Sequence, residues 1–130
     1  MSDLKRVSPA EAKQLMEEAG YTYLDVRTPA EFAAGRPAGA VLVPWANAGP
    51  TGMVPNEGFL DEIAKTFPKD AKLVIGCKTG GRSQKAALAL IAAGYENVVD
   101  QRAGFEGARN AFGQVSEKGW AAEGYPVDKG

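Results

Sequence analysis

The chain reads as an α/β protein, a mostly parallel five-stranded sheet with helices on both faces. Short apolar runs of strand length alternate with amphipathic helical tracts, the pattern of a parallel sheet covered on both sides. The turns between them are short, and several carry helix-capping signals. A third observation agrees: the one cysteine stands where a strand gives way to a helix, the place where open α/β sheets bind ligands.

Ser8-Pro9-Ala10-Glu11 supplies a capping serine, proline at the first helical position and glutamate at the third. Ala12, Leu15, Met16 and Ala19 then share one face, and Gly20 ends the helix. Tyr21 to Val26 is a buried strand, with Asp25 and Arg27 at its C-terminal end. Thr28-Pro29-Ala30-Glu31 repeats the capping box and opens a short helix through Ala34. Val41 to Val43 is a short strand. From Pro44 to Gly58 the chain is rich in Pro, Gly and Asn and reads as a long loop that shapes a site, with Trp45 and Met53 its large apolar residues. Leu60, Ile63, Ala64 and Phe67 mark a third helix, stopped by Pro68. Leu73 to Gly76 is the next strand. The tract from Gln84 to Ala93 forms a helix that is apolar nearly all round, with Gly94 at its C′ position. Asn97 to Asp100 gives one more strand. Glu11, Lys13, Glu17 and Glu18 form a solvated helix face.

At 130 residues the chain has room for one domain, spanning 1–130. Fifteen Lys and Arg against 16 Asp and Glu leave a net charge of −1, which gives no general attraction for nucleic acid or an anionic membrane. With a single cysteine and no histidine, an intrachain disulfide framework and the usual zinc sites are excluded, and no metal or cofactor is expected. Cys-His and Ser-His-Asp catalysis are excluded for the same reason. The polar start, Met1-Ser2-Asp3-Leu4-Lys5-Arg6, has no apolar leader core, and no apolar run approaches membrane length, so a cytoplasmic protein is expected.

Cys77 follows Leu73-Val74-Ile75-Gly76 and precedes Lys78-Thr79-Gly80-Gly81-Arg82-Ser83. Backbone N–H groups converge in such a strand-to-helix loop at the positive end of a helix, surroundings that turn a thiol into a thiolate. Taken alone, a cysteine after an apolar strand is usually a small buried hydrophobe. A Gly-Gly anion nest beside it has no packing purpose and marks Cys77 as a nucleophile.

Cys77 to Ser83 resembles the active-site loop of the rhodanese (sulfurtransferase) family in its single-domain form. Leu24-Asp25-Val26-Arg27 with Glu31-Phe32 resembles the family's first motif, and Gly35 with Pro37-Ala38-Gly39-Ala40 its second. Ala103-Gly104-Phe105, Gly119-Trp120 and Gly124-Tyr125-Pro126-Val127 resemble its C-terminal pattern, so the likeness runs from Ser8 to Val127. Two features depart from it: Arg36 stands where relatives usually carry histidine, and Ala108 to Lys118 is extra sequence, either a surface excursion or a partner surface.

The resemblance implies transfer of sulfane sulfur from a small anionic donor such as thiosulfate, through a Cys77 persulfide, to cyanide, a thiol or a protein acceptor. The loop is one residue shorter than that of related phosphatases, which argues against phosphate ester hydrolysis. A non-enzymatic persulfide relay or sensor acting with a protein partner is the alternative. In this scheme Gly80 and Gly81 admit the bound sulfur, and Lys78 draws in a dianion and stabilises departing sulfite. Thr79 and Ser83 donate hydroxyl hydrogen bonds to the persulfide, or Ser83 caps the helix. Arg82 either faces the ligand or braces the loop through a carboxylate. Asp25 and Arg27 touch the pocket or form a structural network with Glu31, Arg36 adds positive potential or extends into water, and Trp45 and Phe105 line a rim or the core.

Overall fold

The structure, a computed structural model, describes residues 4–130; Met1 to Asp3, the first part of the polar N-terminus, lie outside the described residues. Strand β1 (Lys5–Val7) leads into helix α1 (Pro9–Glu18). The expected capping box closes α1: Ser8 Oγ accepts from the Glu11 N–H and the Glu11 carboxylate from the Ser8 N–H, each at 3.1 Å. Such a cap is worth about 1 kcal/mol. Next come β2 (Thr22–Asp25), α2 (Pro29–Ala34) behind a second capping box from Thr28 and Glu31, β3 (Arg36–Pro37) and β4 (Val41–Leu42). β5 (Ala46–Gly49), β6 (Gly52–Pro55), α3 (Phe59–Thr66), β7 (Lys72–Gly76), α4 (Gly81–Ala92) and β8 (Asn97–Gln101) follow. The chain closes with β9 (Gly107–Arg109), β10 (Val115–Lys118) and β11 (Val127–Asp128).

The central sheet has five strands in the order β1-β8-β7-β2-β4, every neighbouring pair parallel. Alternation along its strands sends side chains to two separate cores. Leu24, Leu73, Ile75 and Val98 pack with Ile63 of α3 and Ala87 and Leu90 of α4, while Tyr23, Val74 and Val99 pack with Ala12 of α1 and with Trp120. No helix of the described residues is long and apolar enough to cross a membrane.

Four local readings change. Lys5–Val7 is an edge strand beside β8, too short and too charged to show a period. The Pro44–Gly58 segment is a β5–β6 hairpin in place of an open loop. Helix α3 buries Phe59 and Ile63 and leaves Leu60 and Ala64 exposed, because Phe59 meets Trp45 edge to face at 5.1 Å and sets the helix rotation. Helix α4 starts at Gly81, three residues before Gln84, and Leu88 faces solvent, so one side of it is uncovered.

Candidate active site

β2 and β7 are adjacent, with Asp25 opposite Gly76, and the chain leaves them in opposite directions, toward β4 and toward β8. The space beyond their carboxyl ends is the sheet's topological switch point. Cys77 follows β7 into that space, and Arg27 follows β2.

Cys77 is 2% exposed. Its Sγ accepts the Gly80 N–H at 3.1 Å and lies 3.5 Å from Ser83 Oγ. Gly80 has φ +105° and caps α4; a Cβ there would collide with the carbonyl of Arg102, so the turn that aims its N–H at sulfur requires glycine. The Ser83 hydroxyl donates to the Gly80 carbonyl at 3.2 Å, and so Ser83 sits inside the first turn and closes it from within. The N–H groups of Phe105 and Glu106 donate to the carbonyls of Cys77 at 2.7 Å and Lys78 at 2.9 Å, stitching the loop to the turn after β8. That turn is held by buried Gln101, whose Oε1 accepts the N–H groups of Ala103 and Gly104, each at 2.8 Å.

Arg82 takes the bracing option: its two Nη groups donate to the two carboxylate oxygens of Glu31 at 2.8 and 3.1 Å. Partial burial pushes the Glu31 carboxyl up, but hydrogen bonds from Arg82 and Thr28 and the Arg82 charge outweigh it and bring it to about 2. The same hydrogen bond raises Arg82 above its ordinary value.

Asp25 and Arg27 are buried as a pair, with Arg27 Nη2 donating to Asp25 Oδ2 at 2.7 Å and to the Gly35 carbonyl at 2.6 Å. The Arg27 guanidinium lies 4.6 Å from the centre of the Phe105 ring. Glu31 thus belongs to Arg82 and not to the Asp25–Arg27 network. Arg36 is not brought to the loop: it stacks on Phe32 and donates to the carbonyls of Phe32 and Gly130. Thr79 is exposed and makes no hydrogen bond to the sulfur, whereas Gly81 opens α4 at the surface. Lys78 is half exposed, with Nζ 3.9 Å from Glu106 Oε1, a loose pair that leaves it available to an anion. Trp45 packs against the core, while Phe105 lines the site.

A cleft of about 190 Å³ opens beside the loop, lined by Arg27, Glu31, Gly35, Lys78, Phe105 and Glu106. A larger hollow of about 340 Å³ lies between β1 and α1, lined by Lys5, Val7, Glu11 and Leu15 and away from the Cys77 loop. Two residues at the back of the loop carry no functional signal in the sequence: Arg6 and Asp100, paired at 2.6 Å. Neither lies in a recognisable motif, and their approach depends on β1 joining the sheet.

The rhodanese-like domain family model matches residues 8–111. The chain is 39% identical over 109 residues to thiosulfate sulfurtransferase 16, chloroplastic, of Arabidopsis thaliana, covering 84% of this chain and 81% of that protein. It is 32% identical over 106 residues to thiosulfate sulfurtransferase GlpE of Pseudomonas putida, covering 82% and 86%. The crystal structure of Rv0390 from M. tuberculosis superposes with a TM-score of 0.80 at 30% identity, over 99% of this chain and 100% of that one. With most of its length matched and the cysteine loop at the sheet's switch point, the chain belongs to the rhodanese-like domain family.

Proposed function

We propose that the protein is a thiosulfate-type sulfurtransferase in which Cys77 carries the sulfur. The observation that carries this reading is the Gly80 N–H held 3.1 Å from Cys77 Sγ, with Lys78 loosely held at the cleft mouth. The Cys77 thiolate attacks the outer sulfur of thiosulfate; the donor's S–S bond breaks, its electron pair leaves with sulfite, and a persulfide anion remains on Cys77. The Gly80 N–H and the Ser83 hydroxyl face that sulfur and stabilise its charge, and Lys78 offsets the charge of sulfite. Cyanide or a thiolate then attacks the outer sulfur and restores the Cys77 thiolate. Each half-reaction conserves electrons and needs no cofactor. Two such halves give ping-pong kinetics.

Thiosulfate and cyanide should yield thiocyanate, and Cys77→Ser should reduce the rate to background. Thiosulfate alone should add one sulfur atom to the intact mass. A folded wild-type protein that neither forms thiocyanate nor gains that atom ends this reading. The second reading, a persulfide relay working with a protein partner, draws on the β9–β10 hairpin, whose Phe112 is 87% exposed. It is preferred if thiosulfate loads Cys77 poorly while a partner recovered by pull-down loads it fast.

A further inference from the structure

We infer that Arg6, anchored by Asp100, is a positioning residue for sulfur transfer: it holds the Gly80 carbonyl from behind and frees the Ser83 hydroxyl to serve the sulfur of Cys77. The inference rests on the sulfurtransferase reading. Arg6 and Asp100 are register partners on the neighbouring strands β1 and β8. Arg6 Nε donates to Asp100 Oδ2 at 2.6 Å, and Nη2 of the same guanidinium donates to the Gly80 carbonyl at 3.2 Å. One rigid fork thus joins the sheet edge to the residue whose N–H points at sulfur.

The Gly80 carbonyl has more donors than lone pairs. It receives Arg6 Nη2 at 3.2 Å, the Ser83 hydroxyl at 3.2 Å and the Gln84 N–H at 3.3 Å. A carbonyl oxygen has two lone pairs, and Gln84 is fixed by the helix, so either Arg6 or Ser83 is dispensable to it. Arg6 is tied to Asp100, whereas the Ser83 hydroxyl oxygen lies 3.5 Å from Cys77 Sγ, so the sulfur is within its reach. When the sulfur becomes anionic, the hydroxyl turns to it and Arg6 keeps the carbonyl satisfied.

Asp100 shows that this anchor is no packing accident. It is 0% exposed, and its Oδ1 has no hydrogen-bond partner among the described residues. Burial pushes its carboxyl up, and the hydrogen bond and charge of Arg6 oppose this. A buried carboxylate needs a partner, and Arg6 is the cation that supplies it, which fixes the guanidinium beside the Gly80 carbonyl.

The test compares Arg6→Met and Arg6→Lys with wild type in thiocyanate formation, melting temperature and hydrogen exchange of the Gly80 amide. Arg6→Met should lower kcat/KM for thiosulfate about tenfold, by loosening the loop's geometry. Gly80 amide exchange should speed up while that of Val74 in the sheet does not. Arg6→Lys keeps a cation for Asp100 but cannot serve both acceptors; it should melt near wild type and still show most of the loss, and it decides the matter if the Met variant does not fold. In a Ser83→Ala background, Arg6→Met should cost much less, since the hydroxyl it frees is gone. Wild-type turnover and unchanged Gly80 exchange in folded Arg6→Lys would overturn the inference, as would full additivity with Ser83→Ala. A wild-type protein that never forms thiocyanate removes the sulfurtransferase reading instead, and Gly80 exchange still reports whether Arg6 grips the loop.

Discussion

The loop from Cys77 to Ser83 and the hairpin of β9 and β10 are both short, glycine-bearing segments, and they are held in opposite ways. Partners from β1, α2 and the turn after β8 grip the loop: Arg6 on the Gly80 carbonyl, Glu31 on Arg82, Phe105 and Glu106 on the first two carbonyls. The hairpin is held mainly by its own ladder, which slips in register between Val115 and Glu117, and by the Arg102–Glu117 pair at its base. Its tip is closed locally, with Arg109 donating to the Gly113 carbonyl at 2.8 Å. Anchors from distant elements are concentrated on the loop that carries Cys77, whereas the hairpin is held chiefly by contacts of its own.

The sharpest break in that contrast is Gly80→Ala. A Cβ at φ +105° is strained and would also drive into the Arg102 carbonyl. The change should cost about 2 kcal/mol or more in denaturant unfolding. By displacing the N–H that faces Cys77, it should lower thiocyanate turnover about a hundredfold. Near-normal turnover would mean that the loop tolerates misalignment and that its many anchors serve only folding.

Glu31→Gln tests the front anchor and has a smaller effect. It removes the charge from a two-point pair with Arg82 and should cost about 1 kcal/mol near neutral pH. The sign with pH follows from the direction of the shift. The folded-state value, about 2, lies below the ordinary 4.5, so the contribution is complete above the ordinary value and fades as pH falls toward about 2. Wild type and variant should therefore converge in stability across that acidic window. Parallel curves would place the stability elsewhere.

Much of this contrast is legible in the amino-acid sequence. The Cys-Lys-Thr-Gly-Gly-Arg-Ser run announces a strand-to-helix turn, and both capping boxes fix helix starts through contacts three residues apart. The choice between ligand and brace for Arg82 is not legible, because it depends on α2 presenting Glu31 across 51 positions. Arg6 is further still from any local signal, since its two partners lie 94 and 74 positions away. The β5–β6 and β9–β10 hairpins escape for another reason: their strands are short and lack a buried face, so no hydrophobic alternation marks them.

The smallest expected effect is the one that completes the comparison. Phe112→Ser alters the most exposed large apolar side chain, on the hairpin tip, where it buries almost nothing. Stability should stay within about 0.5 kcal/mol of wild type, the range of surface changes far from special features. Turnover with thiosulfate and cyanide should be unchanged, because no hydrogen bond joins Phe112 or its neighbours to the Cys77 loop among the described residues. Both are read from denaturant melts and initial rates on the same preparation. A loss of turnover without a loss of stability would show that the hairpin tip reaches the cleft during catalysis, and the division into a fixed loop and an idle hairpin would fail.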